Sequence, residues 1–388
     1  MKICILTPRF PFPENGGDVL RINNIARYLK NRGHELVLVS FTDYEQSDLQ
    51  LAKALYDSVY IIKRNRVLSL VNGIKSMLCG HPLQCGYYSS GTYYSLLRQV
   101  VAKEQPDLFL SHLLRMVPYL EKMGVQSKSI VEMTDALSKT YRLSSGAKGS
   151  MLHKIAYFCE EKLIARYEKK VVGAFPKVVL VSQNDVDYLR DVMDGHATSL
   201  AMHTNGVDCM KTLPATCNSK KISFIGNMRT LQNQDAVFHF VNDIFPLILK
   251  SVPDARFYIF GAQPPQSIRS LASHNVVVTG FVDDLEAVVA DSSVVVAPVR
   301  VAAGIQNKVL VAMGCGVPVV MSSLISSAIP ELRHGENCMI SDDDVDFAHL
   351  CMKIMSDASL RAKLSVNGYN TVSDSYSWFS KLDGYENI

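Results

Sequence analysis

Short apolar runs alternating with helix-period stretches constrain this chain more than any other feature. ICIL, ELVLVSF, VYII, DLFL, SIVEM and VVLVS occupy the first half, and ISFI, RFYIF, VVVTG, SVVVAPV, PVVMS and CMIS the second. Such runs fit strands buried on both faces. Between them lie stretches such as DVLRINNIARYLKNRG, where Ile22, Ile25, Ala26 and Leu29 share one helical face. Repeated strand–helix alternation demands parallel sheets with right-handed crossovers. A chain of 388 residues exceeds one ordinary core. Residues 204–220, TNGVDCMKTLPATCNSK, have turn formers and no periodicity, and read as a linker. The expected fold class is therefore α/β, with two doubly wound Rossmann-like domains at 1–203 and 204–373 rather than one barrel.

Several function classes drop out early. A net charge of +3 is too weak to argue for nucleic acid as a partner. Nine cysteines without a C-x-x-C pair read as reduced thiols in a cytoplasmic setting, and zinc is not expected. MKICILTPRF reads as a first strand rather than a leader, and no apolar run is long enough to span a bilayer. G-x-G-x-x-G, G-x-S-x-G, H-E-x-x-H and Walker A patterns are absent.

The candidate chemistry sits where strands end, because ligands bind at the carboxyl ends of parallel strands. In PRFPFPENGGDVLR, residues 8–21, Gly16 and Gly17 either let the backbone approach a ligand or simply form a turn, and Asp18 can cap the next helix. In SVVVAPVRVAAGIQNKVLVAMGCGVPVV a strand over 294–297 runs into a loop and a helix from about Gln306 to Met313, ended by Gly314 and Gly316. Arg300 and Lys308 flank that helix start, an arrangement suited to a diphosphate, although a solvated lysine is the plain alternative. Gly226 and Arg229 repeat the form in SFIGNMRTLQN, which makes Arg229 a third phosphate cation. His112 follows the run DLFL, where a lone histidine is either catalytic or structural. The D-x-D pairs Asp185/Asp187 and Asp344/Asp346 open helices and read as caps rather than metal ligands.

GNMRTLQN at 226–233, TGFVDD at 279–284, APVRVAAGIQNKVLVAMGCGVPVV at 297–320 and NGVD at 205–208 resemble the retaining glycosyltransferases of family GT4, in the exopolysaccharide-type subgroup. The resemblance implies a GT-B fold, whose two domains face each other across a cleft. It also implies that a C-terminal helix, about 374–388, packs back on the first domain. The implied substrates are a nucleotide-diphosphate sugar donor and a glycan or lipid-linked acceptor, with no resident cofactor or metal. Arg229 and Lys308 would hold the diphosphate, Gly16 and Gly17 would approach it, and His112 would lie near the transferred sugar. Gly226, Asn227, Arg300, Gly304 and Ile305 would line the donor site. Val311 stands where the family has a glutamate that accepts hydrogen bonds from the donor ribose. Losing a charge-assisted bond costs about 1.5–3 kcal/mol, or about ten- to a hundredfold in affinity. The readings left are an active transferase, a silent homologue that binds a sugar nucleotide or a partner, and another GT-B reaction such as epimerisation, against which GIQNK speaks.

Lipid-linked acceptors place such enzymes at the inner face of the plasma membrane. IIKRNRVLSLVNGIKSML, residues 61–78, mixes cations with aliphatics and has no acid. It either lies on an anionic surface or is a solvated helix face. Residues 151–170 are also basic, but Glu160, Glu161 and Glu168 offset them, and a solvated face is the expectation there.

Overall fold

The computed structural model describes all residues except 15–16, 43–48, 145–150, 194–196, 211–212, 214–219, 283 and 301–305, with side chains also left aside at 143–144 and 151–157. It divides into two compact units, Met1–Asn205 with Leu382–Ile388, and Gly206–Lys381.

The first unit holds β1 (Lys2–Thr7), β2 (Glu35–Thr42), β3 (Ser58–Lys63), β4 (Leu108–His112), β5 (Ser129–Thr134), β6 (Lys177–Leu180) and β7 (Leu200–Met202). All neighbours pair in parallel, in the order β3-β2-β1-β4-β5-β6-β7. The second holds β8 (Lys221–Ile225), β9 (Arg256–Phe260), β10 (Val276–Gly280), β11 (Val294–Ala297), β12 (Val319–Met321) and β13 (Met339–Ile340). They run parallel in the order β10-β9-β8-β11-β12-β13. Both sheets are doubly wound, with order reversing at β1/β4 and at β8/β11, and such switch points are where these sheets open a crevice. The central strands are apolar on both faces because helices cover both. Ile3 to Leu6 and Val294 to Ala297 are fully buried.

Twelve strands lie on the twelve apolar runs read from the sequence. The thirteenth, β7, was not expected. Leu200, Ala201 and Met202 are short and only partly covered, so they give no apolar run. Asp18 lies inside the first turn of the helix Gly17–Asn31 and binds Arg9 instead of capping. The helices behind the two D-x-D pairs are capped by Ser182 and Asp343, one or more residues upstream of the pairs. The chain end also differs from the expectation. A helix runs over Ala358–Ser375, Trp378–Lys381 forms a short turn of helix, and only Leu382–Ile388 belongs to the first unit. Gly206 is needed at the boundary, since a β-carbon there would stand 2.3 Å from the Trp378 backbone nitrogen. Among the described residues no helix is long and apolar enough to cross a membrane.

Candidate functional site

In the second unit the site grows from three strand ends. Past β8 the Gly226 amide donates to Phe260 O at 3.0 Å, and past β9 the Gly261 amide donates to Gly280 O at 3.0 Å, so the ladder continues through both glycines. A β-carbon on Gly261 would lie 1.8 Å from Gly226 O, which excludes any other residue. A β-carbon on Gly226 would lie 2.7 Å from Asn233 Nδ2. That space is taken because Asn233 is buried and bonded at both ends. Its amide donates to Asn227 O at 3.0 Å, and its Oδ1 accepts from Lys308 Nζ at 2.5 Å. Asn227 uses its own side chain locally, accepting from the Arg229 amide at 3.0 Å.

Lys308 sits in the first turn of the helix Asn307–Gly314 and is 9% exposed. Its ammonium lies 4.8 Å from the centre of the Phe224 ring. Burial pulls its pKa down from 10.5 to about 8. Among the described residues no carboxylate pairs with it. A buried cation held only by a neutral amide and a ring face is under-compensated, and a bound anion would repair that. Arg300 differs. It is paired with Asp235, Nε to Oδ2 at 3.1 Å and Nη2 to Oδ1 at 2.5 Å, so its charge is already met. Both cations therefore reach the same helix, Leu231–His239, at residues two apart. Arg229 is exposed, and its guanidinium has no partner among the described residues. Val311 packs on the core of this unit and has no side-chain acceptor. Gly304 and Ile305 lie outside the described residues, as does Gly16. Gly17 opens its helix with open space where a β-carbon would go.

Two cavities adjoin these residues. One of about 280 Å³ is lined by Gly226, Asn227, Gly261, Phe281, Val282 and Leu285, and is mainly apolar. The other, about 320 Å³, is lined by Arg300 with His239, Ser322, Ser341 and Asp344. Near it His239 Nε2 meets Asp344 Oδ1 at 2.7 Å. One ligand atom each from His239, Asp243 and Asp344 lies within 4.8 Å of the others. Three donors are fewer than the four of a closed structural zinc site.

In the first unit His112 ends β4 and is 2% exposed. Both ring nitrogens are buried without a hydrogen-bond partner. Burial lowers its pKa from 6.5 to about 4, so it is neutral at pH 7. Leu113 follows with φ of 70°, a conformation that a leucine rarely adopts. Across the register Glu132 faces His112. Glu132 is fully buried and takes Arg21 in a two-point bond, Nε–Oε1 and Nη2–Oε2 both 3.0 Å, with Tyr385 OH at 2.8 Å. Arg21 also donates to Asn205 Oδ1 at 2.9 Å and to His203 O at 2.8 Å. Arg21, Glu132 and Asn233 were not singled out from the sequence. The signal that marks such a pair is the acid inside SIVEM, since a carboxylate in a strand buried on both sides needs a buried partner.

The His112 shift has a testable sign. The unfolded chain protonates this ring below pH 6.5, and the folded chain only below about 4. The unfolded state therefore binds more protons in that window, and stability falls as pH falls through it, by up to about 1.4 kcal/mol per pH unit. Denaturant titrations of wild type and His112→Phe should diverge between those pH values, with the variant less acid-sensitive. Parallel curves would show that His112 is not buried and neutral.

The fold is of the GT-B class, two doubly wound parallel-sheet units with the candidate groups at their switch points. Residues 219–357, which hold Gly226, Asn233 and Lys308, match the family model described as glycosyl transferases group 1. Among solved structures, Anabaena HepE in complex with UDP is similar over 99% of this chain and 98% of its own, with a TM-score of 0.61 at 14% identity. TarM of S. aureus, in a complex that includes UDP, is similar over the whole of both chains, with a TM-score of 0.59 at 12% identity. A Klebsiella pneumoniae protein described as an uncharacterized 44.6 kDa protein in the cps region is 22% identical, over 97% of this chain and 96% of its own length.

Proposed function

We propose that this chain transfers a sugar, with retention of anomeric configuration, from a nucleotide-diphosphate sugar to a glycan or lipid-linked acceptor in surface polysaccharide assembly. One observation carries the reading: Lys308 is a buried cation that meets no carboxylate among the described residues, at the switch point of the unit that matches group 1 glycosyl transferases. The solved HepE complexes with UDP and UDP-glucose support the donor class, and the cps-region relative supports the polysaccharide setting.

In this reading Lys308 and the exposed Arg229 meet the diphosphate, and the start of the helix Asn307–Gly314 adds its backbone N–H groups. They stabilise the charge that develops on the leaving nucleoside diphosphate, so protein cations do this work without a resident metal or cofactor. Arg300 contributes through its pair with Asp235 on the helix Leu231–His239. Gly226 and Gly261 keep the strand ends free of side chains, and the apolar cavity between them and Phe281 takes the base. The motif assigns Gly304 and Ile305 to donor binding as well, and in the first unit Gly16 and Gly17. His112, neutral, offers one N–H and one acceptor to hydroxyls of the transferred sugar. The acceptor reaction belongs on the cytoplasmic side, where sugar nucleotides are made.

Val311 favours a second reading, a silent homologue that binds a sugar nucleotide or a partner, because it leaves the ribose without its acidic acceptor. Calorimetry with UDP-, GDP-, CMP- and dTDP-sugars on wild type and Val311→Glu tests the donor site, and release of nucleoside diphosphate in the presence of acceptor separates the two readings. We expect selective binding of one donor by wild type and about ten- to a hundredfold tighter binding by the variant. Absence of binding by both folded proteins would sink the transferase reading.

A further inference from the structure

The helix Arg66–Leu78 is built inside out. Val67, Leu70, Val71, Ile74 and Leu78 recur at helical spacing and form one stripe, and the stripe faces solvent, with Val67 76% and Leu78 79% exposed. Leu68 beside it is exposed as well. The side turned to the protein is made of small residues, with Ser69 and Gly73 buried and Ser76 half-buried. They pack tightly on the short helix Leu83–Tyr87. A β-carbon on Gly73 would stand 3.3 Å from Leu83 O, and one on Gly86 would stand 2.2 Å from Ser76 Cβ. The aliphatic residues are therefore surplus to this unit's core. Contiguous exposed aliphatics on one element mark an interaction surface.

Charge identifies what covers it. Lys63, Arg66 and Lys75 are exposed along the same segment. Between Asp57 and Glu104 the sequence has no acidic residue at all, while it has Lys63, Arg64, Arg66, Lys75, Arg98 and Lys103. A protein interface of this size would ordinarily mix signs, whereas an anionic lipid surface attracts cations alone. The helix is about 20 Å long, too short to span a bilayer but suited to lie in the headgroup layer with its aliphatic stripe in the acyl boundary.

We infer that the helix Arg66–Leu78 seats the chain on an anionic bilayer, with the stripe from Val67 to Leu78 inserted and Lys63, Arg66 and Lys75 at the headgroups. The inference rests on this surface alone and stands whether or not the chain transfers a sugar.

The test is co-sedimentation of the full chain with phosphatidylcholine vesicles, with and without phosphatidylglycerol. Wild type should pellet with the anionic vesicles, weaken as salt rises, and stay in solution with phosphatidylcholine alone. Val67→Ser, Leu70→Ser and Leu78→Ser combined should lower partitioning at least about tenfold without lowering the melting temperature, because none of the three packs on the core. Lys63→Gln, Arg66→Gln and Lys75→Gln should each cost roughly fivefold at physiological salt. The proposal fails if wild type ignores anionic vesicles, or if the serine variant binds them as well as wild type does. It also fails if sedimentation velocity shows a wild-type dimer that the serine substitutions dissociate while neither protein binds vesicles.

Discussion

Lys308→Met should lower kcat/KM for the nucleotide sugar by about 10²–10³, the effect of removing one preorganised donor from a developing oxyanion. The variant should nevertheless melt close to wild type. It removes a desolvated charge, which favours the fold, and it orphans Asn233 Oδ1, which opposes it, each by about 1–3 kcal/mol. Activity lost with stability kept marks a cation held for a ligand, whereas a large drop in melting temperature would mark a structural lysine. The pH dependence adds a second readout. With a pKa of about 8, Lys308 is charged below that pH and loses its proton above it. Donor affinity should therefore fall above about pH 8, and binding there should be accompanied by proton uptake, measurable by calorimetry in buffers of different ionisation enthalpy. For the free protein the sign is the opposite. The unfolded lysine holds its proton up to pH 10.5, so stability rises between about 8 and 10.5.

Glu132→Gln should strongly destabilise the first unit. It leaves the Arg21 guanidinium buried without its counter-charge, and removing one member of a buried pair costs about 3–5 kcal/mol. That corresponds to a fall of roughly 10 °C in the transition of this unit. The Tyr385 hydroxyl loses its carboxylate in the same step, so the segment Leu382–Ile388 should become more sensitive to carboxypeptidase than in wild type. A second substitution, Arg21→Met, in the Glu132→Gln background should recover part of the loss, because it removes the stranded charge. If Glu132→Gln alone leaves the melt unchanged, the pair is not holding strand, helix and chain end together.

The elements were legible in the sequence because burial is read residue by residue. A run such as ICIL or SVVVA is apolar on both faces only if helices cover both, so local pattern alone implies parallel sheets. The same pattern showed the helix after Gln306 and its end near Gly314. It could not show β7, since three partly covered residues produce no pattern. The candidate site was legible in its residue types and not in its charges. Arg300 and Lys308 look alike in sequence, two cations around one helix start. Arg300 meets Asp235, 65 positions away, while Lys308 donates to the neutral Asn233, 75 positions away. Gly226 reads as a strand end, yet what it must accommodate is the Asn233 side chain. Glu132 reads as one acid in an apolar strand, and its partner Arg21 lies 111 positions earlier. The sequence by itself determined which segments are strands and helices, and the class of sheet they build, because hydrophobic periodicity is a short-range property. Only the tertiary structure decided which cation is left under-compensated, which acid is paired and which aliphatic face stays in solvent. Electrostatic and packing partners are chosen by proximity in space, and chain distance says nothing about that.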